Sequence, residues 1–162
     1  MGRILGKYEL GPIIGTGGMA EIHLATYRGD GDFKKEFCIK LIQSHCTGDP
    51  EFKRMFENEA VIAGMLRHAN VVQVFDYSHD GDVYYIAMEY VFGKDLRAAM
   101  DRAIERKEPI GCALAARICH DAARGLSAAH RLSDRDKGPL HIIHRDVSPQ
   151  NILLSFSGEV KL

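Results

Sequence analysis

Five stretches of the chain alternate apolar and polar residues with a period of two: "YELGPII" (8–14), "EIHLATY" (21–27), "FCIKLI" (37–42), "VVQVFDY" (71–77) and "VYYIAMEY" (83–90). Each predicts a strand, and the turn signals "GDGD" (29–32) and "DGD" (80–82) predict tight reversals between them. The period changes to that of a helix from Pro50 to Leu66, where Phe52, Phe56, Ala63 and Leu66 fall on one face. Past Phe92 and Gly93 two helical patterns follow. One runs from Leu96 to Arg106, and one from Ala113 to Arg131 with Ala115, Ile118, Ala122, Leu126 and Ala129 on a common stripe. A mostly antiparallel sheet with a single helix, followed by a helical region, is an α+β layout in two lobes.

Composition narrows the functional classes. With 162 residues, 46% of them hydrophobic, the chain can bury one core or two small ones. A formal net charge of -1 gives no electrostatic footprint for nucleic acid or an anionic membrane. The start, "MGRILGKYEL", offers no membrane span or signal peptide, and Gly6 stands where a myristoylation signal requires Ser or Thr. The expected compartment is the cytoplasm. Cys38, Cys46, Cys112 and Cys119 form no C-x-x-C pair, so reduced thiols are expected rather than a disulfide framework or a zinc site. The H-x-x-H of His141 and His144 lies in an extended segment and is not read as metal-binding, and His68 reads as a structural loop residue. The sequence leaves the oligomeric state open.

Two local patterns carry chemistry. In "IIGTGGMAEIHL" (13–24), Gly15, Gly17 and Gly18 would let backbone amides approach a phosphate, although a tight hairpin without a ligand explains them too. A dinucleotide fingerprint would need a helix directly after the glycines, whereas Ile22 and Leu24 alternate with polar neighbours as a strand does. The second pattern is a pair of misplaced charges. The spacing 52, 56, 59, 63, 66 puts Glu59 within the apolar stripe of its helix, and Lys40 shares a strand face with Cys38 and Ile42. A carboxylate directed at a core calls for a cation, so the two suggest an ion pair; separate snorkelling to solvent is the alternative.

From Tyr8 onward the sequence resembles the protein kinase family, with its motifs in family order. "GTGGMAEI" is similar to the Gly-rich loop over ATP, with Ala20 in place of the third Gly; "FCIK" is similar to V-A-I-K; "HRDVSPQN" is similar to H-R-D-L-x-x-x-N. The resemblance implies a kinase N-lobe and hinge over 8–91 and the start of a C-lobe over 92–162. It also implies ATP and Mg2+ as cofactors and protein substrates carrying Ser or Thr hydroxyls. Lys40 would hold the α- and β-phosphates, oriented by Glu59. Ile14, Gly15, Thr16, Gly17, Gly18, Ile22 and Cys38 would line the nucleotide site. Met88 would be the gatekeeper, the Glu89 carbonyl and Val91 amide would meet the adenine edge, Asp95 would stand near the ribose, and Leu153 would form the floor under adenine. Asp146 would accept or orient the substrate proton, Asn151 would bind magnesium, and Arg145 would pair with a phosphate on an activation segment.

The family's second metal ligand, the Asp of D-F-G, follows a short strand after the catalytic loop. "GEVKL" (158–162) reads as that strand, so residues 1–162 look like the front of a kinase domain and are expected to be inactive alone. The alternative is a catalytically dead nucleotide-binding or scaffold fragment. Two departures stand out. Ser148 occupies a position where Ser/Thr kinases carry Lys, a loss comparable to roughly two or three orders of magnitude in turnover. Tyrosine kinases often lack that cation, yet Pro149, Gln150 and Asn151 follow the Ser/Thr pattern. "SDRDKGPL" (133–140) reads as a surface insertion before the catalytic loop.

Overall fold

The computed structural model describes residues 2–17, 20–42, 50–134, 136 and 138–162. The chain divides into two compact units, one of residues 1–65 and 73–90, the other of residues 66–72 and 91–162.

The first unit is a six-stranded antiparallel sheet with one helix. Strands β1 (Ile4–Leu5), β2 (Tyr8–Thr16), β3 (Ala20–Arg28), β4 (Lys34–Ile42), β5 (Val74–Asp80) and β6 (Val83–Glu89) lie in the order β1-β2-β3-β4-β6-β5. The expected reversals close β3–β4 and β5–β6, with Gly31 and Gly81 at φ 63 and 57, backbone that favours glycine. Pro12, which cannot donate to a ladder, sits where β2 slips register between Leu10 and Ile13.

Alternation in β4 sorts the sheet into two faces. Phe37, Ile39 and Leu41 enter a core with Leu5, Tyr8, Leu10, Ala25, Tyr85 and Ala87. Cys38, Lys40 and Ile42 point the other way, where Ile42 packs with Ile86 and with Phe56 and Ala60 of helix α1 (Pro50–Met65). One expectation is corrected here. Glu59 is not part of the buried stripe: Phe56 and Ala60 form it, and the Glu59 side chain is 53% exposed. Successive helical residues are about 100° apart, so the residue beside Ala60 sits on the flank of the apolar face.

The second unit holds strand β7 (Gly93–Asp95), helices α2 (Leu96–Arg106) and α3 (Cys112–His130), a hairpin of β8 (Ser133–Asp134) and β9 (Gly138–Pro139), a 3-10 turn Pro149–Asn151, and strands β10 (Leu153–Ser155) and β11 (Val160–Lys161). Helix α2 begins where Asp95 Oδ1 accepts the Ala98 amide at 2.8 Å and ends on Lys107 in the left-handed region. The apolar stripe of α3 is present: Ile118 and Ala122 pack on Ile152 and Val160, and Ala129 is buried as well. The 133–140 insertion forms the β8–β9 hairpin.

A three-stranded sheet runs β11-β10-β7. Gly93 permits its closeness, since a Cβ there would lie 2.0 Å from the Leu154 carbonyl oxygen. The run "VVQVFDY" does not form one strand. Only Val74 onward joins β5, while the Val72 amide donates to Leu162 O at 2.9 Å and the Leu162 amide to Asn70 O at 3.0 Å. Periodicity marks a segment as extended but not which sheet it will pair with. The 66–72 segment also crosses α3 closely: a Cβ on Gly125 would lie 2.5 Å from Asn70 O.

Candidate functional site

In the first unit, directly opposed residues of neighbouring strands share a face, and this collects the expected residues. Gly15 opposes Ile22, Ile22 opposes Lys40, and Cys38 opposes Met88. Lys40 reaches from β4 to α1, where its Nζ donates to Glu59 Oε1 at 2.6 Å and stands 5.8 Å from the Phe56 ring centre. The Lys40 side chain is 24% exposed. The pair inferred from two odd charges is therefore present, as a flank contact rather than a core one. Burial pushes the Cys38 thiol up to about 11, so it is a neutral side chain at physiological pH. At the end of β6 the Glu89 amide donates to Gln73 O at 2.8 Å, and its Oε2 accepts the Gln73 amide at 3.2 Å.

The glycine loop shows an economy of constraint. Gly17 N donates to Ala20 O at 2.9 Å, closing the turn. A Cβ on Gly15 or Gly17 would come no nearer than 3.6 Å or 3.8 Å to its neighbours, which is ordinary contact, and neither has a positive φ. The backbone described here does not itself require glycine at these two positions. Ile14 and Thr16 are exposed, whereas Gly18 lies outside the described residues.

In the second unit the 3-10 turn draws Asn151 back onto Asp146. Asn151 Nδ2 donates to Asp146 Oδ2 at 2.8 Å and to Asp146 O at 3.0 Å. The Asp146 amide donates to His144 Nδ1 at 3.3 Å, and both His144 and Asp146 are exposed. Arg145, also exposed, adopts φ 64, an uncommon conformation for a residue with a side chain. Ser148 stands at the N-cap of the turn without a side-chain capping bond. Asp95 opposes Leu153 across β7–β10, and its Oδ1 is committed to the α2 cap. Val91 is half-buried just before β7.

Sequence reasoning missed two polar residues that fix these elements. Asn70 Nδ2 donates to Val160 O at 2.9 Å, tying the 66–72 segment to β11. On α3, Asp121 is buried and accepts from Arg117 Nε at 2.5 Å and His120 Nδ1 at 2.9 Å. An aspartate among the apolar positions 118, 122 and 129 was a readable signal. Among the described residues no group of three or more His, Cys, Asp or Glu could hold a metal, and no helix is long and apolar enough to cross a membrane.

The protein kinase domain family matches residues 8–162. The chain belongs to that family. It is 38% identical over 157 residues to the tyrosine-protein kinase MasK of Myxococcus xanthus, covering 97% of this chain and 24% of that protein. It is 34% identical over 160 residues to the serine/threonine-protein kinase PrkC of Bacillus subtilis, covering 99% of this chain and 22% of that one. The crystal structure of the Mycobacterium tuberculosis PknI kinase domain, C20A mutant, superposes with a TM-score of 0.74 at 27% identity, over 99% of this chain and 60% of that chain. The α+β expectation is thus the protein kinase fold. It spans about a quarter of the length of these curated relatives, and only the N-terminal part of the kinase domain.

Proposed function

We propose that this chain supplies the nucleotide-holding and catalytic-loop parts of a serine/threonine protein kinase, which transfers the γ-phosphate of ATP to Ser or Thr hydroxyls of protein substrates. The observation that carries the reading is the 2.6 Å contact between Lys40 Nζ and Glu59 Oε1. A cation held by a carboxylate from a separate helix keeps one orientation, which is what binding two phosphates needs. The freedom of Gly15 and Gly17 supports it: among the described residues nothing crowds a Cβ at either position, and close approach of a phosphate to the loop amides is a sufficient reason for glycine.

In the catalytic loop, Asp146 accepts or orients the hydroxyl proton, and Asn151 holds that carboxylate in place. Asn151 commits its amide nitrogen to Asp146 and leaves Oδ1 without a partner among the described residues. A carbonyl-type oxygen is the ligand a hard cation takes, so Asn151 fits Mg2+. Bound there, the ion would offset charge on the phosphates. Residues 1–162 contain no D-F-G, and we propose that this stretch alone binds adenine nucleotide weakly without transferring phosphate. The competing reading is a catalytically silent nucleotide-binding or scaffold part.

Substrate preference divides on Ser148. Pro149, Gln150 and Asn151 follow the Ser/Thr pattern, and PrkC carries a serine/threonine name. The name of MasK, together with Ser148 in place of the usual Lys, supports tyrosine as the second reading. The test uses labelled ATP, magnesium and a mixed Ser, Thr and Tyr polymer, first with the 162-residue polypeptide and then with one extended through a D-F-G segment. The short chain should add no label above an Asp146→Ala control. The extended chain should label Ser and Thr, and Lys40→Met should lower that by at least ~100-fold. Near-full activity of Lys40→Met would remove the role given to the ion pair, and label on Tyr alone would reverse the substrate assignment.

A further inference from the structure

Helix α3 has a second face that the kinase reading does not use. Arg117, Arg124 and the C-cap residue Arg131 recur every seven residues, with His120 beside them, and all four are exposed. Seven residues fall about 20° short of two full turns and rise about 10 Å, so the three guanidinium groups form one narrow row. The only carboxylate between Cys112 and Arg131 is Asp121, which is buried and already bound to Arg117 and His120. Among the described residues the side chains of Arg124 and Arg131 have no ion-pair or hydrogen-bond partner.

A neighbouring segment adds no acid. The 66–72 segment, which crosses α3 at Gly125, contains no Asp or Glu. The nearest acids along the chain, Asp134 and Asp136, belong to the β8–β9 hairpin beyond the helix, and Asp134 Oδ1 accepts the Asp136 amide at 2.8 Å. The whole chain has a formal charge of -1, so this is a local concentration of cations on a protein that is not basic overall.

We propose that this face of α3 is a docking strip for an acidic linear peptide segment of a partner protein, with carboxylates paired to Arg124 and Arg131. The proposal is independent of the phosphotransfer reading. Charge complementarity selects an anion, and planar guanidinium groups pair with carboxylates in two-point geometry. The shape selects an extended chain: at about 3.3 Å per residue, every third side chain of a peptide repeats at about 10 Å, the interval of the arginines. A membrane surface would require large apolar residues interleaved with the cations, and the row has none. A nucleic acid would be opposed by the near-neutral, slightly acidic remainder of the chain.

The test measures fluorescence anisotropy of a labelled peptide of about twelve residues alternating Glu and Gly, alongside its Gln counterpart, with the full 162-residue chain. The Glu peptide should bind at least ~10-fold more tightly than the Gln peptide. Arg124→Glu with Arg131→Glu should abolish that preference, whereas the same charge change at Lys34 and Lys35 on β4 should leave it within ~2-fold. Arg124→Gln with Arg131→Gln, which leaves like charges off the helix, should weaken binding in the same direction with unchanged helical circular dichroism. Equal loss from the lysine pair, or no loss from either arginine pair, would overturn the assignment. So would tighter arginine-dependent binding to an oligothymidine or to phosphatidylserine vesicles.

Discussion

Lys40 and Cys38 are two residues apart on one face of β4, both half-buried, and differ in what surrounds their polar atoms. Lys40 reaches out to Glu59 at 2.6 Å, while burial holds the Cys38 thiol up at about 11. Alkylation requires the thiolate, so at pH 7.5 Cys38 should label far more slowly than exposed Cys112 and Cys119, with a rate that climbs about tenfold per pH unit until near its own pKa. Saturating adenine nucleotide should slow Cys38 further and leave the other two unchanged; site-resolved mass spectrometry after a short labelling pulse reads both effects. Cys46, the comparison the sequence suggests, lies outside the described residues. The same shift has a stability sign. Between the unfolded thiol pKa, about 8.5, and about 11 the folded state holds a proton that the unfolded chain has released. Stability from this group is therefore complete below about pH 8.5 and falls as pH rises to 11, a decline that Cys38→Ala should flatten in denaturant titrations. At this scale the sequence was informative: two charges out of pattern identified the Lys40–Glu59 contact. What it misjudged was depth, because an i, i+3, i+4 count cannot distinguish the centre of a helix face from its edge, where Glu59 sits.

Elements were legible wherever a period ran for several turns or residues. Helix α2 begins and ends where its pattern does, and α3 and α1 shift by a residue at their ends. Strands β1 and β7, of two and three residues, gave no period to read. Gly93 belongs to the second of these, and its reason is purely steric: the Leu154 carbonyl oxygen occupies the space of a Cβ. Gly93→Ala should cost about 2 kcal/mol or more by displacing backbone rather than a side chain, seen as a lower urea midpoint with unchanged slope. In α3 the Arg117 guanidinium, then the His120 imidazole, hold the Asp121 carboxyl below the usual carboxylate range. A depressed carboxyl contributes stability above its unfolded pKa, about 4, and loses it as pH falls through the lower folded value. Asp121→Asn should remove that part of the acid sensitivity while lowering stability at pH 7, as acid titration followed by circular dichroism would record.

For the molecule as a whole, the α+β class and the protein kinase family could both be read from motif order, because glycine loop, strand Lys, helix Glu and catalytic loop recur at fixed intervals. The partition of buried residues could not. The first unit holds two interlocked cores built on β4 and β6, whereas the second rests on Ile118, Ala122, Ile152 and Val160, and α2 buries no residue fully. Hydrogen exchange should follow that division: amides of β4 and β6 should exchange at least ~10-fold more slowly than those of α2, and uniform protection would contradict it. The 66–72 segment adds a topological consequence. Because those seven residues belong with 91–162, the chain passes between its units at 65/66, 72/73 and 90/91. No single cut then yields two self-sufficient pieces. A polypeptide ending at Tyr90 would carry Asn70 and Val72 away from Val160 and Leu162, and one starting at Val91 would leave those bonds unmade. Gene splitting at the obvious boundary should therefore give a C-terminal half that folds poorly alone and recovers only when the half carrying 66–72 is added, which makes this kinase segment indivisible by linear dissection.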